Sequence, residues 1–112
     1  MSDASNPQIA CCPDSLTSDE RARSRALRAE LAAATRETLA VQDGYTFQFA
    51  PDASLLQKTA EWISLERRCC PFLAFQLVWP TGEEAGLCLT VTGPEGTRAF
   101  IAEEIPQLPH SR

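Results

Sequence analysis

The chain has one histidine, few glycines, no surplus of positive charge and no long apolar run. Each shortage removes a class of function. A net charge of −5 at pH 7 has the wrong sign for a nucleic-acid binder, which needs a basic face to displace counterions from phosphate. The same charge disfavours adsorption to an anionic membrane. The longest apolar stretch, Phe72 to Trp79, is broken by Gln76 and is too short to span a bilayer. There is no glycine-rich phosphate loop, since Gly93-Pro94-Glu95-Gly96-Thr97 holds a proline and lacks the lysine. A cysteine nucleophile would need a base, and His110 sits in a tail. Met1 to Pro7 carries no basic patch and no apolar segment, so no secretory signal is expected and a cytoplasmic location is the expectation.

What the chain does have is sulfur in an unusual pattern. Four of its five cysteines form two Cys-Cys-Pro tripeptides, Cys11-Cys12-Pro13 and Cys69-Cys70-Pro71. Adjacent thiols add little packing that one cysteine could not supply, but they put two soft donors within reach of one ion or one oxidant. Stable disulfides are disfavoured in a reducing compartment, so paired cysteines there point to metal or redox chemistry. The fifth, Cys88, leaves the count odd and is satisfied by the role of a small buried hydrophobe.

At 112 residues the chain is long enough for one self-sufficient core. Residues 1–16 read as an irregular arm carrying the first cysteine pair, 17–106 as a single domain and 107–112 as a frayed tail. Thr17-Ser18-Asp19-Glu20 has the form of a capping box and opens a helix expected to run to about Ala40. Its thin apolar stripe is Leu27, Leu31, Ala34 and Thr38, and its interleaved arginines and glutamates read as a solvated face. Asp43-Gly44 is a turn, and Tyr45 to Phe49 alternates as a half-buried strand. A second helix is expected from Ala53 to Cys69, with Leu55, Leu56, Ala60, Trp62 and Ile63 inward. Pro71 stops it, because proline lacks an N–H and pushes Cys70 out of the helical region. Phe75 to Trp79 and Leu87 to Val91 are two further strands around a loop opened by Pro80-Thr81-Gly82. Gly93-Pro94 starts a last helix with Phe100, Ile101 and Ile105 inward. The fold class is α+β: a two-layer sandwich, a three-stranded sheet with helices on one face, in the order α-β-α-β-β-α. The strand order cannot be read, and the thin stripe of the first helix leaves a homodimer open.

The chemistry is expected at Cys69, Cys70, Cys11 and Cys12. The C-terminal end of a helix disfavours thiolate, while Arg67 and Arg68 favour it. A bound metal would override both by deprotonating the thiol. If the arm folds back to the end of the second helix, four sulfurs converge. Four thiolates suit zinc, although adjacent ligands strain its tetrahedron. Cu(I) and, by the same softness argument, Hg(II) or As(III) accept two or three thiolates more readily. Glu66, one turn before Cys70, is a candidate supporting or oxygen ligand, or else pairs with an arginine or faces solvent.

The stretch from Glu66 to Gln76, with Thr92 to Thr97 and Phe100 after it, resembles a group of small bacterial cysteine-cysteine proteins. It also resembles the C-terminal module of some heavy-metal-responsive regulators of the MerR type. The most specific part is Glu-Arg-x-Cys-Cys-Pro-Phe, met by Glu66, Arg67, Cys69, Cys70, Pro71 and Phe72, and the likeness runs from Cys12 through Ile101. These residues include no helix-turn-helix half, so the regulator function does not carry over. The resemblance implies a metal- or metalloid-linked thiol site at Cys69 and Cys70 and no catalytic residues. The expectation is a module that sequesters or senses a soft or borderline metal and is not an enzyme. The rivals are a thiol-redox protein whose cysteine pairs form reversible disulfides, and a structural or interaction domain with buried cysteines.

Overall fold

The computed structural model describes residues 9–104. Its elements are α1 (Ser18–Ala34), β1 (Thr35–Val41), β2 (Gly44–Phe49), α2 (Ala53–Cys69), β3 (Ala74–Val78), β4 (Cys88–Thr92) and α3 (Thr97–Glu104). A short 3-10 turn, Pro13–Ser15, precedes α1. The sheet therefore has four strands rather than three, and the order is α-β-β-α-β-β-α. Ile105, the closing prolines and the tail with His110 lie outside the described residues, as does the N-terminal stretch read for a signal.

The extra strand comes out of the first helix. The capping box forms: the Thr17 hydroxyl accepts from Glu20 N–H at 3.1 Å, and Glu20 Oε1 accepts from Thr17 N–H at 2.9 Å. The helix then stops at Ala34, not at Ala40. Thr35 is extended (φ −69°, ψ 126°), and its hydroxyl donates to the Leu31 carbonyl at 2.8 Å, closing the last turn. Beyond it Thr38 and Val41 are β-branched and favour a pleated surface. Gln42 and Asp43 make the turn, with Asp43 at φ 61°, a conformation aspartate tolerates better than most residues. Gly44 is already the first residue of β2. A Cβ there would run into the Val91 carbonyl oxygen, so close approach of β4 is what requires glycine.

The sheet is antiparallel throughout, in the order β1-β2-β4-β3. Phe47 pairs with Leu89 and Leu77 with Leu89, so one face of three strands carries large apolar side chains. That face packs against Leu27 and Leu31 of α1, Trp62 and Leu65 of α2 and Ile101 of α3, in one core. Phe75 meets Trp62 edge-on at 5.9 Å, and Phe72 meets Phe100 at 4.9 Å. The opposite face is polar at its centre, where Thr46 and Thr90 share a hydrogen bond of 2.8 Å. Ala60, expected inward, is exposed; Thr59 and Glu66 are buried on α2 instead. α3 begins at Thr97 rather than at Pro94, because Gly96 at φ 100° cannot be helical.

The two long helices lie side by side. Arg23–Glu61 and Lys58–Glu30, each 2.8 Å, join their exposed flanks. Such surface pairs contribute at most about 1 kcal/mol each, so the apolar seam of Leu27, Leu31 and Trp62 holds the helices together. Leu31→Ala is expected to cost about 2–5 kcal/mol in chemical denaturation. Thr17→Ala, which removes only the cap, is expected to cost about 0.5–2 kcal/mol in the same assay.

Candidate thiol site

α2 ends where it must. Pro71 cannot continue the ladder, and the last carbonyls of a helix need donors from elsewhere. The N-terminal segment supplies them. The Cys12 backbone N–H donates to the Cys69 carbonyl, and the Ser15 hydroxyl donates to the Arg68 carbonyl at 2.6 Å. Arg68 answers by donating to the Ser15 carbonyl at 2.6 Å and to Glu20 at 2.9 Å. Leu16, buried in the core, anchors the same segment.

This docking brings the two cysteine pairs together. Cys11 Sγ lies 3.0 Å from Cys70 Sγ, across 59 residues of sequence. All five cysteines are thiols rather than disulfides. Cys11 and Cys12 are exposed, Cys69 is half-buried and Cys70 is 2 % exposed. Cys88 is half-buried on β4 opposite Gln48 and Val78, away from the cluster, so it is less enclosed than expected.

Electrostatics at the site follow burial more than the neighbouring arginines. Burial pushes the Cys70 thiol far up, and the hydrogen bond with Cys11 and the Glu66 charge push the same way. Cys69 is also raised, first by burial and then by Glu66; a hydrogen bond with Cys70 and the charge of Arg28 oppose this, and Cys12 adds to the rise. Neither Arg67 nor Arg68 is among the main influences on either thiol. Arg68 is turned to Ser15 and Glu20, and the cation that acts on Cys69 is Arg28, from α1.

Glu66 is the residue whose setting the sequence left open. It neither faces solvent nor forms an ion pair among the described residues. It is 4 % exposed, accepts from Ser24 Oγ at 3.3 Å, and lies 3.8 Å from Cys70 Sγ, a long thiol hydrogen bond. Burial raises its pKa, and Arg28, Ser24 and Cys70 only partly offset that. A carboxyl that holds its proton more tightly than usual therefore stands next to a thiol that does the same. The periodic signal for its burial was present, since Glu66 follows Trp62 by four residues and Thr59 by seven.

Cys70 touches Cys11 at 3.0 Å and Glu66 at 3.8 Å, while Cys12 and Cys69 are joined through the backbone. Among the described residues, no group of three or more His, Cys, Asp or Glu side chains gathers closely enough to hold a metal ion. No described helix is long and apolar enough to cross a membrane. The chain matches no family model, no curated protein and no solved structure.

The raised thiol and carboxyl pKa values fix the sign of two pH effects. Cys70 stabilises the fold as a neutral thiol. That contribution is full below the unfolded thiol value of about 8.5 and is lost as pH rises above it. Cys70→Ala should flatten the fall in melting temperature between about pH 8.5 and pH 10. Neutral Glu66 likewise favours the fold at acid pH, and its ionisation weakens the fold as pH rises. Glu66→Gln should therefore gain on the wild type at pH 8 relative to pH 5.

Proposed function

We propose that Cys11 and Cys70 form a dithiol centre that cycles between two thiols and one disulfide. The observation that carries this reading is the 3.0 Å separation of their sulfurs, held by backbone bonds that do not involve sulfur. A disulfide is about 2.05 Å long, so closure needs a shift of about 1 Å. In the oxidising step the two thiols give two electrons and two protons to a small disulfide, R–S–S–R, which leaves as two R–SH. Cys11 is open to solvent and Cys70 is sheltered, so one sulfur is presented and the other is kept protonated until needed. Cys70 Sγ has Cys11 Sγ at 3.0 Å and Glu66 Oε2 at 3.8 Å within hydrogen-bond reach.

The soft-metal reading keeps one specific support. Two converging thiols can hold a two-coordinate ion such as Hg(II) or Cu(I), and the Glu66-Arg67-x-Cys69-Cys70-Pro71-Phe72 pattern resembles a metal-linked module. Zinc is a poorer fit. Its tetrahedron needs two more donors beside these two sulfurs.

Mild oxidation with diamide under non-denaturing conditions should lower the intact mass by two hydrogens. Peptide mapping should assign the new bond to Cys11–Cys70, reversibly on adding dithiothreitol. Cys70→Ser should abolish that bond. Persistence of both thiols through oxidation, with stoichiometric Hg(II) or Cu(I) bound by wild type and lost in Cys11→Ser/Cys70→Ser, would select the metal reading instead.

A further inference from the structure

A cavity of about 140 Å³ opens between α1 and α2 beside the thiols. Arg21, Ser24, Arg25 and Arg28 of α1 line one side, and Glu66 and Cys69 of α2 line the other. The cationic side chains Arg23, Lys58 and Arg68 are each spent in an ion pair between the elements. Arg25 and Arg28 make no ion pair among the described residues, and Arg28 Nε is buried with no hydrogen-bond partner. A buried donor without a partner is uncommon and invites an acceptor from outside. In a chain of net charge −5, three arginines around one small cavity, which Leu16 also lines, are a local reversal of sign, with Arg21 Nη1 already donating to the Leu16 carbonyl at 2.9 Å and Arg25 exposed. The one carboxyl facing them, Glu66, is the group whose charge burial suppresses.

The cavity thus joins a cationic wall to one thiol, that of Cys69. A ligand that engages both has an anionic group and a sulfur able to exchange with a thiol. We propose that this cavity is the entry subsite for small disulfides bearing carboxylates, which the arginines hold while Cys69 attacks. The assignment rests on the dithiol reading above and names the co-reactant of that centre.

In the first step the Cys69 thiolate attacks one sulfur of R–S–S–R. The S–S bond breaks, Cys69–S–S–R forms, and R–S⁻ leaves to be protonated by solvent. Cys70, hydrogen-bonded to Cys69, then takes over the S–R group as its own proton passes to the departing Cys69 sulfur. Displacement by Cys11 gives the Cys11–Cys70 disulfide, and the Cys11 proton leaves with the second thiol as R–SH. Two thiols have been oxidised and one small disulfide reduced.

The test uses the whole reduced protein with glutathione disulfide, which is anionic, and bis(2-hydroxyethyl) disulfide, which is neutral. Rates of adduct formation and of Cys11–Cys70 closure are followed by intact mass and peptide mapping. The anionic reagent should react faster, and that preference should fall steeply with added salt. Arg25→Ala/Arg28→Ala should slow the anionic reagent about tenfold or more beyond its effect on the neutral one, whose smaller slowing reports the loss of the Arg28 charge beside Cys69. Arg28→Lys should keep much of the preference. Equal rates for the two reagents in wild type, indifferent to salt, would overturn the entry subsite while leaving the dithiol centre intact. Failure of both reagents to oxidise the native thiols would remove the dithiol reading itself. The salt series needs no variant, so a poorly folded double substitution does not decide the matter.

Discussion

The capping of α2 at its C-terminal end organises the site and, through it, the N-terminal third of the molecule. Pro71 ends the helix and leaves carbonyls without intrahelical donors. The Cys12 N–H and the Ser15 hydroxyl fill that need, and Arg68 locks the same segment from the other side. Cys11 is carried to Cys70 as a by-product of backbone chemistry. The sulfurs themselves contribute little to the docking, so the meeting of the pairs is set before any ion or oxidant arrives.

Burial and charge compete at this site, and burial wins. A helix C-terminus already disfavours an anion, and enclosure of Cys70 adds a larger penalty. Two groups that prefer to be neutral, Cys70 and Glu66, are kept side by side under the cover of α1. Arg28 favours charge on both Cys69 and Glu66, and it reaches them across the helix seam. A sheltered sulfur thus lies against an exposed one.

Local signals were readable in the sequence, and those that need a third dimension were not. The Thr17–Glu20 capping box, the Pro71 stop of α2 and the alternation of β2 all rest on neighbours within a few residues. The fourth strand was hidden because Ala33, Ala34, Leu39 and Ala40 continue a helical composition past Thr35. What ends the helix is a threonine back-bond and pairing with β2, which no local window contains. The cysteine pairs were legible as candidates from their repetition. Their convergence depends on how the arm crosses α2, and the role of Arg28 depends on a helix 38 residues upstream of Glu66 meeting it in space, so neither could be read along the chain.

The span between Cys11 and Cys70 has a thermodynamic consequence of its own. A bond between them would close a loop of more than half the chain, since 59 positions separate the two. Removing that much freedom from the unfolded chain favours the native state by about 4 kcal/mol in the chain-entropy picture. Linkage makes the effect mutual: whatever the bond gives the fold, the fold returns to the bond. The oxidation state of these two sulfurs would then report on the integrity of the domain, and a chain that loosens would release its cross-link to any reductant before one that stays packed.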